Sequence, residues 1–131
     1  KNVEALLADL WKKHEGEDWE DESWTSKAFT SKKVYADQAF AYYISDKIFG
    51  DSLKVSELTR VSKLQAGDVI KLGREYIVVY EVDQDEETFR YLYLDDYYEV
   101  ELSSTSSNSR SWTDLDEIDT KTDTIYTRYP S

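Results

Sequence analysis

Near residue 64 the apolar residues of this chain stop recurring with a helical period and begin to recur as strands. Before that point, Val3, Leu6, Leu7, Leu10 and Trp11 fall at i, i+3, i+4, i+7 and i+8. That spacing makes one apolar stripe of a helix, which Asn2 can cap and Gly16 follows. A second helix is predicted over 37–48, where Ala36, Ala39, Phe40, Tyr43, Ile44 and Ile48 form a stripe wide enough to make it the most buried. Gly50 closes it. Between the helices, residues 15–33 read as a long ordered loop held down by Trp19, Trp24 and Phe29. A short helical turn is expected at 55–59.

Beyond residue 64 the predicted strands are 69–72, 76–82, 89–94, 97–102 and 124–129, separated by turn signals such as Ala66-Gly67-Asp68, Gly73-Arg74 and Asp95-Asp96. Residues 103–111 are polar, low in complexity and expected to be mobile. Thr113 is placed to cap a short helix through Ile118. Parallel strands need crossovers of a dozen or more residues, whereas these are joined by short turns, so the pairing should be antiparallel. Helices followed by a strand meander give an α+β domain spanning 1–131, with the second helix packed on an antiparallel sheet or partial barrel.

Composition narrows the chemistry. The 131 residues include no cysteine and one histidine. Disulfides, thiolate metal sites and a cysteine nucleophile are thereby excluded, and no cofactor or metal is expected. His14 is the one imidazole base, and without a matched nucleophile it reads better as a cation near a helix C-terminus. The net charge of -12 disfavours phosphate backbones, so nucleic acid is not an expected partner. No apolar run reaches the ~18–20 residues that span a bilayer, and no charged-then-apolar leader opens the chain. The first residue is Lys1 rather than Met, as in a processed or trimmed chain. Aromatics make up 15% of the residues, which argues for a packed core despite the charge. A monomer is expected.

Certain segments resemble the papain-like cysteine amidases and peptidases of bacterial cell-wall and surface proteins, of the NlpC and CHAP kind. They are Ala39-Phe40-Ala41, Ile44-Ser45-Asp46, Phe49-Gly50, Gly67-Asp68-Val69-Ile70, the strand from Ile77 to Val82, and Tyr126-Thr127-Arg128-Tyr129-Pro130. The resemblance implies a nucleophilic Cys at the start of the buried helix, where the helix dipole favours a thiolate. It implies a base His opening the long strand and a third polar residue on the next strand. In this chain those positions fall at Asp37 (with Gln38 beside it), at Glu75, and at 93–95, with Asp95 as the candidate. The resemblance thus implies a degenerate member without cysteine chemistry, secreted or held at a bacterial cell surface.

Three readings of function follow. In the first, the domain is non-catalytic and keeps a cleft for a peptide, glycan or partner protein, with Trp19, Trp24, Tyr76 and Tyr93 as binding candidates. In the second, Asp37 and Glu75 act as a hydrolytic carboxylate pair. In the third, the domain is purely structural, its cleft plugged by the Trp19–Trp24 loop. Asp37 has a plain explanation as a helix cap, and Arg74 or a lysine could neutralise Glu75. Trp19, Trp24, Tyr97, Tyr98 and Trp112 are the aromatics least committed to the core. The acidic runs match no EF-hand and read as solvated surface.

Overall fold

The computed structural model describes residues 2–52 and 54–130. Helix α1 (Val3–His14) starts where expected, the Asn2 side chain accepting a hydrogen bond from the Ala5 amide. Helix α2 (Ala36–Phe49) buries residues around most of its circumference and ends at Gly50, whose φ of 72° is the left-handed geometry of a helix stop. The strands are β1 (Ser23–Thr25), β2 (Lys33–Tyr35), β3 (Ser56–Leu58), β4 (Val69–Leu72), β5 (Glu75–Asp83), β6 (Thr88–Leu94), β7 (Val100–Leu102), β8 (Thr113–Asp114) and β9 (Thr124–Thr127).

The main sheet runs β3-β9-β4-β5-β6-β7, with β8 also on β6, and every pair is antiparallel. This is an α+β architecture. Three-residue β3 and β7 lie at the two ends of the strand order, and no pairing joins them among the described residues.

Both faces of the sheet are buried, which explains why β5 reads as a nearly unbroken apolar run. Val69, Tyr76, Val78, Tyr80, Leu92 and Tyr126 face α2 and its neighbours. Ile70, Ile77, Val79, Phe89 and Ile125 face the other way, covered by Leu64, Leu115 and Ile118. The register shifts between Val79 and Glu81, a bulge at Tyr80.

Several local expectations are corrected. Residues 56–58 form strand β3 on β9, not a helical turn. The 15–33 loop contains β1, paired with β2 at the entrance to α2. Residues 113–118 are a two-residue strand and a 3₁₀ turn, with Asp114 rather than Thr113 at the N-cap. Tyr97 and Tyr98 belong to a turn, so that strand begins at Val100. Stretch 103–111 is fastened rather than loose: Tyr91 and Ser103 exchange hydrogen bonds, Arg90 donates to the Ser104 carbonyl, and the Trp112 indole donates to that of Ser106.

The aromatics of the long loop are structural. Trp19 is a buried residue, 5% exposed, edge-on to Phe40, with its indole N–H on Glu17. Glu17 also meets His14 Nδ1, while His14 Nε2 shares a hydrogen bond with the Tyr43 hydroxyl. His14 is therefore a buried packing residue. Trp24 donates its indole N–H to Asp46, which also accepts from Ser26 and from Arg128 at 2.8 Å. Arg128 is 2% exposed and bonds Ser45 and the Gly50 carbonyl as well. Loop, helix and C-terminal segment thus converge on one buried ion pair. Arg128→Ala strands the Asp46 carboxylate and should cost about 3–5 kcal/mol in urea unfolding. The double variant Arg128→Met with Asp46→Leu should lose less than the sum of the two single changes.

Asp68 is buried beside Gly67, its Oδ2 accepting from the Gln65 amide and its Oδ1 without a hydrogen bond. Burial pushes its carboxyl up to about 7, against the opposing influence of Thr127 and the Gln65 amide. The folded state then holds a proton that the unfolded chain releases near 3.8, so this group's contribution to stability falls as pH rises from about 4 through 7. Asp68→Asn should remove that contribution. In denaturant titrations at pH 4 and pH 8, the variant should lose less stability than the parent, by an amount on the order of a few kcal/mol.

Candidate functional site

A groove of about 310 Å³ opens where β5 and β6 part company. Their ladder runs from Asp83↔Thr88 to Val78↔Leu92 and stops short of Tyr76 and Leu94. Glu75 and Tyr76 line one side of the gap, and Tyr93, Leu94 and Asp95 the other. Asp37, in the first turn of α2, also lines it, its Oδ2 accepting the Tyr76 amide at 2.8 Å. The amide that β6 leaves unpaired is thereby satisfied by a carboxylate.

This corrects the expected cap. Tyr35 occupies the N-cap of α2 and makes no side-chain bond to the helix. The carboxylate of Asp37 instead ties the helix start to the sheet. The chain reaches this helix through Ala36 at φ 53°, its amide donated to the Glu22 carbonyl. A non-glycine residue in that region carries local strain. Tyr98, which lines the groove, is also left-handed at φ 62°.

Five of the seven residues singled out in sequence thus share one groove: Asp37, Glu75, Asp95, Tyr76 and Tyr93. Trp19 and Trp24 do not. Trp19 is buried, and Trp24 lines a separate cavity of about 280 Å³ with Lys27, Asp46 and Lys47. Arg74, Leu94, Asp96 and Tyr98 complete the groove, and of these Asp96 alone had no part in the sequence reading of the site. The Asp95-Asp96 turn at the end of a strand was the available signal for two of its walls. Gln38 points its amide away to the hydroxyls of Tyr42 and Tyr76.

The site's chemistry is that of carboxylates and phenols. Burial, with neighbouring Tyr42, Tyr126 and Asp37, pushes the Tyr76 hydroxyl well above its ordinary value. Burial and the carboxylates of Glu101, Asp95 and Asp96 push up Tyr93. Both remain neutral hydrogen-bonding groups at physiological pH. No ion pair joins Arg74 to Glu75 among the described residues. Beside the groove, the carboxylates of Asp95, Glu99 and Glu101 lie within 4.8 Å of one another, the one grouping among the described residues that could seat a cation. Asp95 Oδ1 there already accepts the Tyr97 and Glu99 amides, as in an Asx turn. No thiol exists in the chain, and His14 is not among the groove's lining residues.

No protein-family model, curated protein or solved structure matches this chain. Among the described residues, no helix is long and apolar enough to cross a membrane.

The Asp37 contact yields a local prediction. Asp37→Ala leaves the Tyr76 amide without its acceptor, at a cost of about 1–3 kcal/mol. Hydrogen exchange at Tyr76 should accelerate more than at Val78, whose pairing with β4 and β6 is untouched.

Proposed function

We propose that this groove is the ligand site of a degenerate papain-like amidase domain, one that binds rather than cleaves. The observation that carries the reading is the convergence of Asp37, Glu75 and Asp95 on one groove. They stand where the resemblance puts nucleophile, base and orienting residue. The start of a buried helix, the start of the following long strand and the end of the next border one groove, and that shared border supports the reading. A carboxylate at the nucleophile position, engaged by a backbone amide, holds the helix start in place and supplies no thiolate. Retained binding is favoured over a purely structural role because neither Trp19 nor Trp24 plugs the groove; both are tied elsewhere. The same scaffold suggests a secreted or surface-attached domain of bacterial origin.

The test is a sensitive amidase and peptidase assay with the purified chain, run beside a glycosidase assay for the Asp37 and Glu75 pair. No turnover is expected in either. Turnover abolished by Asp37→Ala or Glu75→Gln, in protein that keeps its fold by circular dichroism, would sink the reading and restore an enzyme.

A further inference from the structure

Four of the groove's lining residues are acidic, Asp37, Glu75, Asp95 and Asp96, against one basic residue, Arg74. Their partners differ. Asp37 and Asp95 accept backbone amides and are part of the architecture. The side chains of Glu75 and Asp96 have no hydrogen-bond or ion-pair partner among the described residues, although Arg74 lines the same groove. Tyr93 and Tyr98 line the same space, whereas the Tyr76 ring turns to the α2 face, against Tyr42, with its hydroxyl on Gln38. The exposed large hydrophobic residues of the described chain are Tyr35, Tyr97 and Tyr98. Tyr98 lines the groove, Tyr97 sits beside it in the turn, and Tyr35 lies two residues before Asp37. Tyr97 and Tyr98 thus put exposed aromatic surface at the groove's rim.

Two features could draw an anion instead: Arg74 and the N-terminus of α2. The helix end is fronted by Asp37, and the Tyr76 amide is occupied by that carboxylate. An anion would meet carboxylates on both walls.

From this we infer that the groove selects a cation, the side-chain ammonium or guanidinium of a basic peptide. Carboxylates without partners neutralise the charge, and tyrosine faces accept it by cation–π contact along an aliphatic stem. The exposed tyrosines flanking the groove give the rest of the peptide something to lie on, which a free amine would not use. The inference rests on the binding role proposed above and specifies its ligand.

The experiment is an NMR titration of the ¹⁵N-labelled chain, followed at the Tyr76, Tyr93 and Asp95 amides. The probes are acetyl-trilysine amide, acetyl-triglutamate amide, spermidine and neutral chitotriose. The lysine peptide should shift these resonances and bind more tightly than spermidine, with affinity falling as salt rises. Glu75→Gln and Asp96→Asn, which remove no internal bond, should each weaken it by about two- to fivefold. Equal or tighter binding of spermidine overturns the peptide assignment. No shift with the lysine peptide, shifts elsewhere on the domain, or equal binding of the glutamate peptide overturns the charge preference. Chitotriose shifting the groove while the lysine peptide does not would overturn the inference and leave a binding groove standing. Hydrolysis of the lysine peptide with these shifts would keep the cation preference and overturn the loss of catalysis.

Discussion

The ion pair between Asp46 and Arg128 holds three otherwise separate parts of the chain in register. Asp46 lies on α2, Arg128 follows the last strand, and Trp24 and Ser26 come from the segment before the helix. Each donates to the same carboxylate. A buried charge pair is weak evidence for net stability, since desolvation offsets much of its attraction. Its contribution here is positional. The guanidinium also reaches Ser45 and the Gly50 carbonyl, so it closes the C-terminal end of α2. With that end fixed by the ion pair and the other by Asp37, the helix has little freedom to slide over the sheet.

The site follows from this placement. Within a sheet buried on both faces, a gap opens where two strands diverge. β5 and β6 diverge at Tyr76, and α2 arrives there with its first turn. The groove is a consequence of ending one ladder early. The backbone amide exposed by that ending has to be satisfied, and Asp37 satisfies it. Architecture and candidate site therefore share a residue, and that residue cannot be altered without touching both.

The long periodic elements were legible in the sequence. Both helices and strands 69–72, 76–82 and 89–94 lie within a residue or two of their predicted positions, the helices because their apolar spacing repeats and the strands because turn signals bound their apolar runs. Strands β1, β2, β3 and β8 have two or three residues each and show no period at all. They exist because a partner strand is already there. The candidate residues Asp37, Glu75 and Asp95 came from a likeness in the order of short segments, which local spacing could not supply. Trp19 reads in sequence both as an anchor of the loop and as a binding candidate, and Phe40 and Tyr43, which lie against it, make it the anchor. The pairing of Asp46 with Arg128, 82 residues apart, left no local trace.

The sheet's end strands bear on how this chain behaves among its own copies. A long exposed strand edge is a template for another chain to add to. Here the strand order ends in β3 and β7, three residues each, and β7 carries Glu101 with Glu99 just before it. The β7 edge is also covered, since Val100 exchanges backbone bonds with Gly16 and Glu17, and Asp18 bridges Glu99, on a molecule whose net charge of -12 repels its twin. A chain with eleven tyrosines and four tryptophans has ample material for cross-chain stacking. Among the described residues only Tyr35, Tyr97 and Tyr98 leave that material well exposed.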